Sequence, residues 1–135
     1  MTEPLLSFPD VEQFIVDRFK DRGELAGVVV DIWPPAGFDG TQRAVLVSRV
    51  GGAWVDDLRV DQALVQLEGF GPDKAAAHAV ALVARALALQ LRDSAYPGGI
   101  VTDVVEEDGP RWLPDYRHPT GNRYLSVIRV ALHPE

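Results

Sequence analysis

Cysteine is absent from this chain. Its absence excludes disulfides, thiolate metal sites and cysteine nucleophiles together, and it leaves the redox compartment unmarked. Cationic side chains are scarce: 13 Lys and Arg stand against 20 Asp and Glu, a net charge of −7. A protein that grips nucleic acid needs a positive surface to neutralise phosphates. That class is therefore disfavoured, whereas a protein that lets nucleic acid pass without sticking is not. No run approaches the ~18–20 continuous apolar residues needed to cross a bilayer, so no membrane role is expected. The opening Met1-Thr2-Glu3-Pro4 lacks the basic and apolar stretches of a secretory signal, and the protein is expected to act where it is made.

Catalytic signatures are equally sparse. Only three histidines occur, His78, His118 and His133, and none stands four positions from another ligand type, so no metal-binding spacing is present. Surface or loop histidine is the plainer reading of all three. The G-x-S-x-G elbow, the P-loop and G-x-G-x-x-G are missing. Gly51-Gly52 and Gly98-Gly99 read as turns rather than phosphate cradles. Asp56-Asp57 and Glu106-Glu107-Asp108 offer oxygen ligands for a hard cation but lack the spaced pattern of a calcium loop, and read as solvated loop charges. No catalytic residue, metal or cofactor is expected, although a carboxylate pair assembled by the fold would escape a reading of this kind.

What is present suits a single domain: 135 residues, 47% apolar and 24% charged. From Asp10 to Arg22 the residues Val11, Phe14, Ile15 and Phe19 share one face at helical spacing. Pro9 suits the first turn and Ser7 is available as a cap. A β-branched run, Gly27 to Trp33, stops at Pro34-Pro35 and reads as a strand. Arg43 to Val50 is a second strand, closed by the Gly51-Gly52 turn. Leu58 to Phe70 is a third. There Ala63, Val65 and Leu67 alternate with Gln62, Gln66 and Glu68, as in a sheet with one face covered and the other polar.

A long helix is predicted from Pro72 to about Arg92, some 30 Å at the standard rise. It is rich in Ala and Leu and apolar almost all round, so it must pack on the sheet and on something else besides. Its polar exceptions, Lys74, His78, Arg85 and Arg92, are spaced by four, seven and seven and form one stripe. That stripe is either a solvent face or a contact with an acidic surface of another subunit. Tyr96-Pro97-Gly98-Gly99 breaks the helix. Ile100 to Glu106 and Arg123 to Leu132 are the last two strands. Trp112, with Tyr116 nearby, lies in a Pro-flanked connection, where it either serves an interface or folds back on the core. The order is helix, three strands, helix, two strands. It predicts an α+β fold with an antiparallel or mixed sheet of about five strands and both helices packed on it.

Several segments together resemble the tail terminator proteins of long-tailed bacteriophages, a family grouped with minor tail and neck proteins. They are the strand and Gly-Gly turn Ala44-Val-Leu-Val-Ser-Arg-Val-Gly-Gly52, the extended Asp57 to Leu67, and the Ala-rich helix Ala75 to Leu91. Trp112-Leu-Pro-Asp115 and Asn122-Arg-Tyr-Leu-Ser-Val-Ile-Arg-Val130 complete the set. The likeness covers roughly residues 27–132 and lies in order and spacing. It implies a small α+β virion subunit, assembled in the host cytoplasm, that closes into a hexameric ring. The ring caps the tail tube protein, stops its polymerisation and meets a head-completion or connector protein, while DNA passes through the lumen unbound. The family implies no fixed catalytic residues. The candidate interface residues are this chain's own: Lys74, His78, Arg85, Arg92, Trp112, Asp115, Arg123 and Tyr124. A head-closure or connector subunit is the neighbouring alternative, and a small-molecule-binding α+β protein or enzyme the distant one.

Overall fold

The computed structural model describes residues 10–134; Ser7 and Pro9, read above as cap and first turn, lie outside them. The first helix, α1 (Val11–Lys20), is capped by Asp10, whose carboxylate accepts the Gln13 N–H at 3.1 Å. It buries Val11, Phe14, Ile15, Val16 and Phe19, the face that the spacing marks out. Six strands follow, against the five expected: β1 (Val29–Asp31), β2 (Ala44–Val55), β3 (Val60–Gly71), β4 (Ala95–Tyr96), β5 (Gly99–Trp112) and β6 (Asn122–Pro134), with α2 (Lys74–Leu89) between β3 and β4. They form one mixed sheet in the order β1-β2-β3-β6-β5-β4, in which only β1 and β2 run parallel. The additional strand, β4, is two residues long and makes a hairpin with β5 through Pro97-Gly98, where Gly98 has φ +95°. The residues read as a helix breaker have the Pro-Gly order of a type II turn.

Register places the core. Ala63, Val65 and Leu67 of β3 lie beside Val130, Ile128 and Ser126 of β6. These positions are buried beneath α2, which packs on β3, β6 and β5, while α1 packs on β1 and β2. Gln62 and Gln66 point to the opposite face and are only partly covered, as the alternation predicts. Full burial of each Phe, Ile, Leu or Val in such a core is worth roughly 1.5–3 kcal/mol. The helix approaches the sheet closely at small residues. A Cβ added to Gly69 would sit 3.0 Å from Ala81, and one added to Gly71 would sit 2.6 Å from the Ala77 nitrogen.

Several boundaries differ from the sequence reading: the first strand keeps only Val29–Asp31 of the expected Gly27 to Trp33, and the third begins at Val60 rather than Leu58. The long helix stops at Leu89, 16 residues and about 24 Å, because the chain turns through Asp93 at φ +66°. Arg92 therefore lies in the turn and not on the helix. The helix buries Ala77, Val80, Ala81, Ala84, Leu87 and Ala88 on its own sheet. Its outward row is Ala75, Ala79, Leu82 and Ala86, a narrower apolar surplus than expected. Glu106-Glu107-Asp108 and Trp112 belong to β5 and not to loops. Finally, Gly51-Gly52 is no turn. It lies inside β2, at a register shift between Arg49 and Gly51, and the chain reverses later at a short 3-10 segment, Asp56–Leu58. The positive φ expected of the pair is present, at Gly52 (+95°), so the residues mark a β-bulge.

Gly52 and Gly51 should therefore respond differently to alanine. A Cβ on Gly52 would lie 1.9 Å from the Gln62 carbonyl oxygen, in a left-handed backbone, whereas the nearest atom to one on Gly51 is Leu64 Cδ1 at 3.6 Å. Gly52→Ala is expected to cost about 2 kcal/mol or more, and Gly51→Ala less than about 0.5 kcal/mol, read from urea midpoints at constant slope.

Candidate interaction surfaces

The fold gathers four of the sequence-predicted residues at the start of α2. Lys74 opens the helix and His78 stands one turn on. Register sets Trp112 of β5 opposite Tyr124 of β6. The Lys74 ammonium lies 4.5 Å from the Trp112 ring centroid, and the His78 and Tyr124 rings are 4.9 Å apart. Trp112 does not fold into the core: it carries this contact and remains 46% exposed.

Arg85 and Arg92 continue along the same flank but find their partners at home. Arg85 pairs with Glu106, with Nη2 to Oε2 at 2.9 Å. Its hydrogen bonds hold the Glu106 carboxyl below its ordinary range despite desolvation. Arg92 donates through Nε and Nη2 to the Val104 carbonyl at 3.0 and 2.6 Å, and lies 3.2 Å from Asp103. The acidic surface sought on another subunit is, for these two residues, β5 of the same chain. Glu107 and Asp108 are likewise matched, by Arg129 at 2.9 Å and Arg111 at 3.0 Å. These pairs are exposed or half-exposed and add little stability individually. No group of three or more His, Asp or Glu side chains is placed to hold a metal ion among the described residues.

Asp115 and Arg123 occupy the other face of the sheet. Arg123 donates from Nη1 to Glu68 Oε2 at 2.8 Å and from Nε to the Leu113 carbonyl at 2.8 Å; its Nη1 is 3.8 Å from Asp115 Oδ2. Asp115 is buried at the head of the β5–β6 loop. It accepts from the backbone and side chain of Arg117 at 3.0 and 3.2 Å, and its Oδ2 is 3.1 Å from His118 Nδ1. His118 also meets the edges of Phe38 and Phe70, with centroids 5.0 and 6.0 Å away. The loop is tied to the β1–β2 loop by the Thr120 hydroxyl, which donates to the Asp39 carbonyl at 3.2 Å.

Between these loops lies a cleft of about 270 Å³, with Glu68 and Asp115 at its floor and Trp33 at its mouth. Glu68, Arg117, His118 and Trp33 escaped the sequence reading as site residues. Glu68 was visible only as a polar position in the β3 alternation, and nothing local marks its pairing with a residue 55 positions away. The cleft does gather polar groups, the feature on which a small-molecule site would rest. Its carboxylates are, however, matched by arginines. Burial alone would raise the Asp115 pKa, but hydrogen bonds from Arg117 and His118 bring it from the ordinary 3.8 down to about 2. A carboxyl held ionised in this way is poorly suited to proton transfer near neutrality.

Asp115 should therefore support the fold in a pH-dependent manner. Its folded value lies below its unfolded one, so its contribution is complete above about pH 3.8 and fades as the pH falls towards 2. Asp115→Asn is expected to cost about 1–3 kcal/mol at pH 7. The gap between wild type and variant should narrow as acid denaturation is followed down through that window by circular dichroism.

No protein-family model matches the chain, and no curated protein matches it. In fold it is similar to a chain from the solved virion of a native gene transfer agent (GTA) particle. The TM-score is 0.66 and the identity 16%, over 87% of this chain and 90% of that one. At that identity the likeness is one of architecture.

Proposed function

We propose that this protein is a structural subunit of a phage-like virion, and more narrowly a tail terminator. Copies of it close into a ring of six that caps the tail tube protein, ends its polymerisation and offers the surface for head joining. The observation that carries the virion reading is the shared fold with a chain of a GTA virion along nearly the full length of both. The narrower role draws on the order and spacing of segments across residues 27–132 that resemble the tail terminator family. Composition is compatible with it: a chain of net charge −7 lining a lumen would repel DNA phosphates and let a genome slide. The role requires no catalysis. Exposed aromatic residues on two neighbouring loops, Trp33 and Tyr116 at 74% and 89%, supply the kind of anchors that protein interfaces use.

Two measurements test this. Native mass across a range of concentrations, with and without tail tube protein, should reveal a species near six subunits; a lone subunit under every condition would overturn the ring. Electron microscopy of particles lacking the protein should show overlong or irregular tails. Tails of normal length detached from heads would instead assign it to the head-closure position.

A further inference from the structure

A second groove, of about 250 Å³, lies on the helix side, between α2 and the 3-10 turn Gly23–Leu25 that follows α1. Two charged residues line it, Arg43 and Glu24. Glu24 is held by Arg22 at 2.7 Å and keeps a half-exposed carboxylate. Among the described residues the Arg43 guanidinium makes no ion pair or hydrogen bond. Every other lining residue is apolar, among them Leu25, Val28, Ala79 and Val83. Such a groove suits an apolar side chain that brings an anion with it.

The chain carries a match at the tip of the β2–β3 hairpin. Leu58 is 61% exposed there, between Asp57 and Arg59. Neither charge has an ion pair or side-chain hydrogen bond among the described residues. Two other large exposed apolar residues adjoin acids, Val105 beside Glu106 and Tyr116 beside Asp115, but arginines hold both carboxylates. Leu58 alone among them stands next to an unpartnered acid. The tip is also fixed in shape. Arg59 is set in the left-handed region at φ +53°, and Arg49 braces the hairpin by donating to both Asp61 oxygens at 2.7 and 2.8 Å.

We propose that the hairpin tip of one copy seats in this groove on a second copy. Leu58 enters the apolar floor, Asp57 meets Arg43 and Arg59 meets Glu24. This rests on the ring reading above and names a contact that would build it. Rim and tip each carry one charge of each sign, so attraction sets the orientation of the tip as well as its identity. The volume falls below the ~300–1,000 Å³ of ordinary small-molecule sites, and it admits a side chain better than a cofactor. The 12 residues of β2 separate Arg43 from the tip, about 40 Å at ~3.3 Å per residue. The tip therefore cannot fill its own groove. Two different patches at opposite ends of one strand make a heterologous contact, the type that closes rings.

The test exchanges charges in the full-length chain. Arg43→Glu and Asp57→Arg each set like charges against one another. Each is expected to raise the half-assembly concentration about tenfold or more. Both changes in one chain restore opposite signs and should return assembly to within about threefold of wild type. A purely structural role for Arg43 would not be rescued by a change at the far end of the strand. Leu58→Ser probes the apolar part without touching a charge, and circular dichroism confirms that each variant is folded. A double variant as weak as the singles would overturn the pairing of Asp57 with Arg43. Rings that assemble normally in both singles and in Leu58→Ser would overturn the whole contact and leave the ring reading standing. Wild type that never self-associates would overturn both. Intact variant rings that fail only to bind tail tube protein would assign the tip or the groove to that partner, and overturn the contact between copies.

Discussion

The close seating of α2 on β3 governs the rest of the molecule. Gly69 and Gly71 leave no side chain between strand and helix, and Ala77 and Ala81 fill the gap with little more than backbone. At such distances an added methylene cannot be absorbed without moving the helix. The seat decides which face of the sheet is dry. It also sets the helix start over Trp112 and Tyr124 and brings Arg85 within reach of β5. On the other face Gln62 and Gln66 are only partly covered, while under the two loops Ala44, Leu46 and Phe70 form a second, smaller apolar cluster with Phe38 packed on it.

That division explains the distribution of charge. Acidic residues outnumber basic ones, yet the acidic stretch of β5 is neutralised locally, by Arg85 from the helix side and by Arg129 and Arg111 from the sheet and the strand itself. The ion pairs under the loops differ in kind. Glu68, Arg123 and Asp115 are removed from water, so loss of one member strands the others and is far more costly than loss of a surface pair. The roofed end is consequently rigid in its chemistry. The hairpin end, past the bulge, is held by strand pairing and by Arg49, whose guanidinium donates to both Asp61 carboxylate oxygens at 2.7 and 2.8 Å.

Much of this architecture was legible in the sequence. The α1 face and the β3 alternation are local patterns whose period follows from helix and strand geometry, and both put their residues on the expected faces, although Glu68, on the face read as polar, is buried. Lys74 and His78 share a helix face by spacing alone. The errors lie where geometry is not periodic. A glycine pair has the same sequence in a turn and in a bulge, and only the partner strand distinguishes them. Helix propensity carried the long helix past Leu89, since nothing local announces the left-handed Asp93. Two-residue β4 exists because β5 is there to pair with it. Among site residues, the union of Trp112 with Tyr124 and of Arg123 with Glu68 depends on strand register, which no single segment encodes.

The guanidinium of Arg92 has a consequence beyond its ion pair. For most of its length β5 has no strand on its outer side, and such a rim can recruit copies of itself into endless cross-β stacks. Arg92 occupies the Val104 carbonyl, three register shifts interrupt the ladder, and Pro110 has no amide hydrogen to offer. The rim of β5 is thereby kept from pairing edge to edge with further copies of the chain.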